Sequence, residues 1–188
     1  MNSASANSIL LDISTFLARR WSDNPKVIVS LSDDKQPYTH IDRQQIFLPT
    51  LNYFHGEEFD RYRQWRVTLW YEAMKIKYCT KVKASSKEHA YGFILNCLET
   101  KRVEILGLEI WQGMTNEIIF YEAMSWLTKP LLNTIYGRHK LIEAFSQYFL
   151  TGYMKGELFG NEFERVKNAA DYANQCIKDA VEGSRGTE

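Results

Sequence analysis

Proline and glycine are scarce in this chain, at 4 and 10 of 188 residues, which argues against a loop-dominated scaffold and for long regular elements. Cysteine is scarcer still. Cys79, Cys97 and Cys176 are odd in number and show no CxxC spacing, so neither a disulfide framework nor a zinc ribbon is expected. An excess of one charge is also missing. Lys+Arg and Asp+Glu are both 23, which leaves no global field to attract nucleic acid or an anionic membrane. No apolar run approaches the roughly 20 residues that a membrane helix needs. The opening MNSASANSILLDISTFLARR has no basic stretch ahead of its short apolar run, so a secretory signal is not expected. A soluble, reducing, cytoplasmic setting is the expectation. GxxxxGK[ST], GxGxxG and GxSxG are all absent, which leaves nucleotide binding and a serine-hydrolase elbow without motif support.

What the chain does have is core-forming material. Hydrophobic residues make up 45% and aromatics 14%, with 5 Trp, 11 Tyr and 10 Phe. The length suits a single domain, expected over 1–182 with a flexible tail at 183–188. Ser8 is placed to cap a first helix carrying Ile9, Leu10, Ile13, Phe16 and Leu17 at helical spacing and ending near Trp21. Within it, Asp12 and Ser14 begin a DxSxS-like run, but Phe16 occupies the third position and helical spacing explains the run better. KVIVSLSDD then alternates as a strand with Val27, Val29 and Leu31 on one face. KQPYTHID is turn-rich with room for a second strand, and RQQIFLPT gives another, so a small sheet or long hairpin is expected over about 26–50.

From Glu57 the period changes to helical, with Phe59, Tyr62, Arg66, Leu69, Ala73 and Ile76 on one stripe to about Lys81. Arg66 in that stripe needs a buried acceptor or an exit to solvent. Ser85 and Glu88 match a capping box for a third helix that turns Phe93, Ile94, Cys97, Leu98 and Leu106 inward and ends at Gly107 as a C-cap. Helical stretches follow at 116–127, 131–136, 139–154 and 161–181, the last being the most polar. The fold class expected is α+β, mostly α.

The stretch LWYEAMKIKY, Leu69 to Tyr78, differs from the HExxH helix of zinc peptidases by Tyr71 and Lys75 in place of two histidines. That motif places two His on one helical face and uses the intervening Glu as general base, with a third ligand supplied from a later helix. The helical wheel places Tyr71 and Lys75 opposite the Leu69/Ala73/Ile76 stripe, on an open face. A protonated Tyr and a cationic Lys repel a metal more than they bind one. His40, His55, His89 and His139 are scattered without HxH or HxxxH pairing. A substituted metal site from Glu72, Glu99 and one of these histidines is the enzymatic alternative. Cys79 and Cys97 fit buried small hydrophobes better than nucleophiles. A third alternative is a nucleic-acid face on 61–83, where Arg61, Arg63, Lys75, Lys77, Lys81 and Lys83 interleave with Tyr62, Trp65, Trp70 and Tyr78.

Taken in order, IFLPTLNYFHGEEFDRYRQWRVTLWYEAMKIKY and ILNCLETKRVEILG resemble the metallopeptidase-like helical region of CobT- and NorD-type proteins. Those proteins are associated with von Willebrand A domains and work with MoxR-class AAA+ ATPases. Glu99, Arg102, Val103, Glu104 and Gly107 fit that family's LxxLExxRVExLG pattern. The resemblance covers about Ile46 to Gly107, with weaker echoes in YGRHKLIEAF and GYMKG. It implies a zincin-like helix pair, with Glu72 at the general-base position and Tyr71, Lys75 and Glu99 at vestigial ligand positions. Arg102 and Glu104 are implied as structural residues of the old cleft. Both His positions are replaced, and Thr100 stands where many relatives carry an acid. The resemblance therefore implies a pseudoenzyme without metal or other cofactor. Its partners would be a von Willebrand A protein and a MoxR-type ATPase on other chains, with no membrane and no nucleic acid. Helix-surface ion pairing is the plain reading of Glu99, Arg102 and Glu104, since side chains at i and i+3 meet. Lys75 with Glu72 or Glu99 would form a structural salt bridge across the former site.

Overall fold

The computed structural model describes residues 3–79 and 89–185. It is mostly helical, 72%, with six helices and one three-stranded sheet among the described residues, the α+β class expected. The Ser85–Glu88 capping box, Lys81, Lys83 and the end of the tail lie outside the described residues. No described helix is long and apolar enough to cross a membrane. The chain divides into two compact units, Met1–Val82 with Gly107–Met124, and Lys83–Leu106 with Ser125–Glu188.

The first unit begins with α1 (Ser3–Ser22), which starts before the expected Ser8 cap. Its packing face is also not the one its large side chains suggest. Ser14, Ala18, Trp21 and Ser22 are buried, whereas Ile9, Ile13 and Phe16 are exposed, Phe16 at 69%. Small side chains let a neighbouring helix come close, and the Ser14 and Ser22 hydroxyls satisfy themselves by donating to the Leu10 and Ala18 carbonyls at 2.6 Å. The sheet is β1 (Ile28–Ser32), β2 (Tyr38–His40) and β3 (Gln45–Pro49), in the order β1-β3-β2. It is mixed and not a hairpin. β1 runs parallel to β3 in the register Ile28↔Gln45, and β2 runs antiparallel to it with Tyr38↔Phe47. Ile46 and Leu48 on the central strand are fully buried, while Tyr38 stacks on Phe47 at 4.6 Å on the opposite side of the pleat.

Helix α2 (Glu58–Tyr78) starts as its sequence dictates. Glu57 and Asp60 form a reciprocal capping box in the first turn. The predicted inward stripe is right only in its later half. Phe59 is 72% exposed and Tyr62 is also exposed, but every residue from Val67 to Met74 is buried. A helix buried on all sides has no single stripe, so periodicity misreads it. Arg66 exits to solvent and pairs with Glu117 at 3.0 Å; Arg63 meets the same carboxylate at 3.0 Å and lies over the Phe120 ring. Burial alone would raise the Glu117 carboxyl, but the Arg63 hydrogen bond and the Arg66 charge outweigh it and hold it below its ordinary value.

Helix α3 (His89–Ile110) does not end at Gly107. A Cβ there would fall 2.6 Å from the Trp70 ring and 2.8 Å from Met74 Sδ, so this glycine serves close packing, not capping. Helix α4 (Thr115–Thr128) follows one 3-10 turn.

In the second unit the helix expected at 131–136 is a single 3-10 turn, Leu132–Thr134, because Pro130 precedes it and Gly137 follows with a non-helical backbone at φ 63°. Helix α5 (Arg138–Thr151) ends at Gly152, whose φ of 78° and amide bond to the Tyr148 carbonyl form the C-cap. Fully buried Gln147 donates to the Pro130 carbonyl and accepts from the Lys155 amide at 2.8 Å, pinning the loop after α5. Helix α6 (Glu162–Arg185) buries Val166, Ala170, Ala173, Ile177 and Val181, a regular amphipathic stripe.

Candidate functional site

The central turns of α2 carry a polar stripe, Thr68, Glu72 and Lys75, through an otherwise apolar stretch. Glu72 is 2% exposed and both its oxygens are engaged. Lys75 Nζ donates to Oε1 at 2.7 Å, and the Thr39 hydroxyl on β2 donates to Oε2 at 2.7 Å. The spacing of three along the helix supplies the first contact, and the sheet supplies the second. Tyr121, from α4, completes the cluster. Its hydroxyl is pushed up mainly by burial and further by the Glu72 charge, while the Thr68 hydrogen bond and Lys75 act in the opposite direction.

Tyr71 is not on an open face. It is 8% exposed, edge-on to Trp70 at 5.3 Å and tilted against Tyr121 at 6.2 Å. The expectation of an open ligand face fails because α2 is covered on all sides here. Lys75 is 20% exposed, with its ammonium committed to Glu72.

Glu99 belongs to the second unit, where Arg102 clasps it through two hydrogen bonds of 2.8 and 2.6 Å. Lys101 meets Glu104 at 2.7 Å one step along. The residues singled out in the sequence therefore divide: Tyr71, Glu72 and Lys75 in the first unit, Glu99, Arg102 and Glu104 in the second. Among the described residues no group of three or more His, Cys, Asp or Glu side chains is placed to hold a metal ion. His40 packs edge-on against Tyr38 and Phe47, and His55 and His139 are exposed. Cys97 is buried, its thiol raised chiefly by burial and 3.7 Å from the Ser146 hydroxyl.

The basic segment is largely spoken for as well. Arg63 and Lys75 are ion-paired, Arg61 donates to the Gly56 carbonyl, and Trp65 and Trp70 are core residues. Chemically, the Glu72 cluster is a closed one. A general base must reach a substrate proton, and each oxygen of this carboxylate already accepts a short, charge-assisted or hydroxyl hydrogen bond. Thr39 and Tyr121 were not foreseen. Thr68 was legible, four residues before Glu72 on the same helical face, but nothing local links Thr39 to a helix 33 positions away. Comparisons with known protein families, curated proteins and solved structures give no match for this chain.

Proposed function

We propose that the chain is a non-catalytic, metallopeptidase-like domain that acts by holding protein partners. One observation carries the loss of catalysis: at the general-base position, Lys75 and Thr39 each occupy an oxygen of Glu72 at 2.7 Å. A metal would have to displace the ammonium group that neutralises the buried carboxylate. The resemblance of ETKRVEILG and its upstream partner motif supplies the partner class, a von Willebrand A protein and a MoxR-type AAA+ ATPase in the cytoplasm. Exposed Ile9, Ile13 and Phe16 recur on one face of α1 and support a protein contact there.

The test mixes the purified chain with a von Willebrand A protein and a MoxR-type ATPase from the same source and follows co-elution. A complex that survives Glu72→Gln and is lost in Ile13→Glu/Phe16→Glu is the expected result. No complex with either protein overturns the reading. Stoichiometric zinc lost on Glu72→Gln would replace it with the substituted-site hydrolase. A salt-sensitive complex with DNA lost on Lys77→Ala would replace it with the nucleic-acid accessory role.

A further inference from the structure

The second unit carries a half-open groove of about 460 Å³, inside the range of roughly 300–1,000 Å³ typical of small-molecule sites. Ile94 and Leu98 of α3, Leu141 and Phe145 of α5, and Val166 and Ala173 of α6 form its walls. Its floor is buried Val166 and Ala173, and its rim is exposed Ala169, Tyr172 and Cys176. The groove persists because α6 presents alanine where bulk would fill the gap, Ala169 at the mouth and Ala173 behind it.

Among the described residues one cation borders this carbon-lined space. Arg165 stands at the groove, and among the described residues its guanidinium has no hydrogen-bond or ion-pair partner. The carboxylate one turn back on its own helix, Glu162, is held instead by Lys140 Nζ and by the Phe159 amide, both at 3.0 Å. Arg165 acts on it only through its charge. Along α6, Arg165, Ala169, Tyr172 and Cys176 fall on one face, and at 1.5 Å per residue the helix rises about 16 Å between the backbone positions of Arg165 and Cys176. The site is thus charged at one end and apolar along its length.

We propose that this groove binds a single-chain amphipathic anion, an unesterified fatty acid, with the carboxylate on Arg165 and the tail directed toward Cys176. The charge complements a carboxylate, whose two oxygens match the guanidinium fork. A partner helix seated there would bring a polar rim, and beyond Arg165 the lining offers only the Tyr172 hydroxyl and the Cys176 thiol to receive it. The site lies in the second unit and is independent of the reading of Glu72 and of α1.

Isothermal titration of the full chain with dodecanoate and palmitate, with 1-dodecanol as uncharged control, tests this. Saturable one-to-one binding of the acids is expected. Arg165→Ala should weaken dodecanoate roughly tenfold, the loss of one charge-assisted contact at a solvent-facing mouth, and leave 1-dodecanol unchanged. Ala169→Trp should abolish binding of both while circular dichroism stays native; Cys176→Phe, at an exposed position, shortens the site if that variant fails to fold. Absence of saturable binding, or a folded Ala169→Trp that binds as the wild type does, overturns the proposal. Sedimentation with phosphatidylcholine vesicles containing phosphatidylglycerol, lost on Arg165→Ala, would make this a membrane-lipid site and overturn it. A concentration-dependent dimer lost on Ala169→Trp would make it a self-association face and overturn it too.

Discussion

Two acid–base pairs at the same helical spacing behave differently in this molecule. Glu72–Lys75 on α2 and Glu99–Arg102 on α3 are both i,i+3 contacts of similar length. The Glu72 side chain is 2% exposed, within a turn buried on every side, whereas Glu99 is 26% exposed on a helix flank. Similar local chemistry closes a buried carboxylate in the first case and clasps a part-exposed one in the second. The difference lies at the carboxylate: water reaches and partly screens Glu99, but nothing replaces the lysine above the buried Glu72.

Removing the cation from each pair is the direct way to break that contrast. Lys75→Met leaves Glu72 buried with only the Thr39 hydroxyl. We expect a loss of about 3 kcal/mol, moderated by the partial exposure of Lys75, seen as a melting-point drop of roughly 6–12 °C. A drop no larger than that of Arg102→Ala would erase the distinction. Next in size is Gly107→Ala, which raises helix propensity yet drives a Cβ to 2.6 Å from the buried Trp70 ring. Denaturant unfolding should show a net loss of about 1–3 kcal/mol, the usual cost of overpacking. A stabilised variant would mean that Gly107 is only a weak point in α3.

A third experiment uses pH on a half-way case, Glu117 between Arg63 and Arg66. Its carboxyl is held below the ordinary value of 4.5, so its contribution is present above that pH and disappears as pH falls through the lowered value. Wild type should exceed Glu117→Gln by about 1 kcal/mol near neutrality, and the two stability curves should converge in acid. Curves that run parallel at every pH would disprove the charge origin. The smallest effect is expected for Arg102→Ala, below about 1 kcal/mol and reduced further by salt.

Much of the helical framework was legible. The change of period at Glu57 marked the start of α2, and α5 and α6 lie within a few residues of the stretches expected at 139–154 and 161–181. The misreadings share a cause. Ile9, Ile13 and Phe16 are the most apolar side chains on α1, yet Ser14, Ala18 and Ser22 face inward because close approach of a neighbour favours small side chains over hydrophobic ones. Gly107 looked like a cap because glycine often ends helices, and nothing local reveals the indole that requires it. At the candidate site, Glu72 and Lys75 were recognisable as an i,i+3 pair. That Tyr71 would be covered, and that β2 would supply Thr39, were not.

By itself the sequence determined the fold class, the helices whose caps and periods are local, and the i,i+3 pairing of Glu72 with Lys75, since these depend on neighbours within a few residues. Only the tertiary structure decided which face of α1 packs, why α3 continues through Gly107, and how the Glu72 carboxylate is closed from two sides. Those outcomes depend on shape and on loss of water between segments far apart in the chain, and no local spacing encodes either.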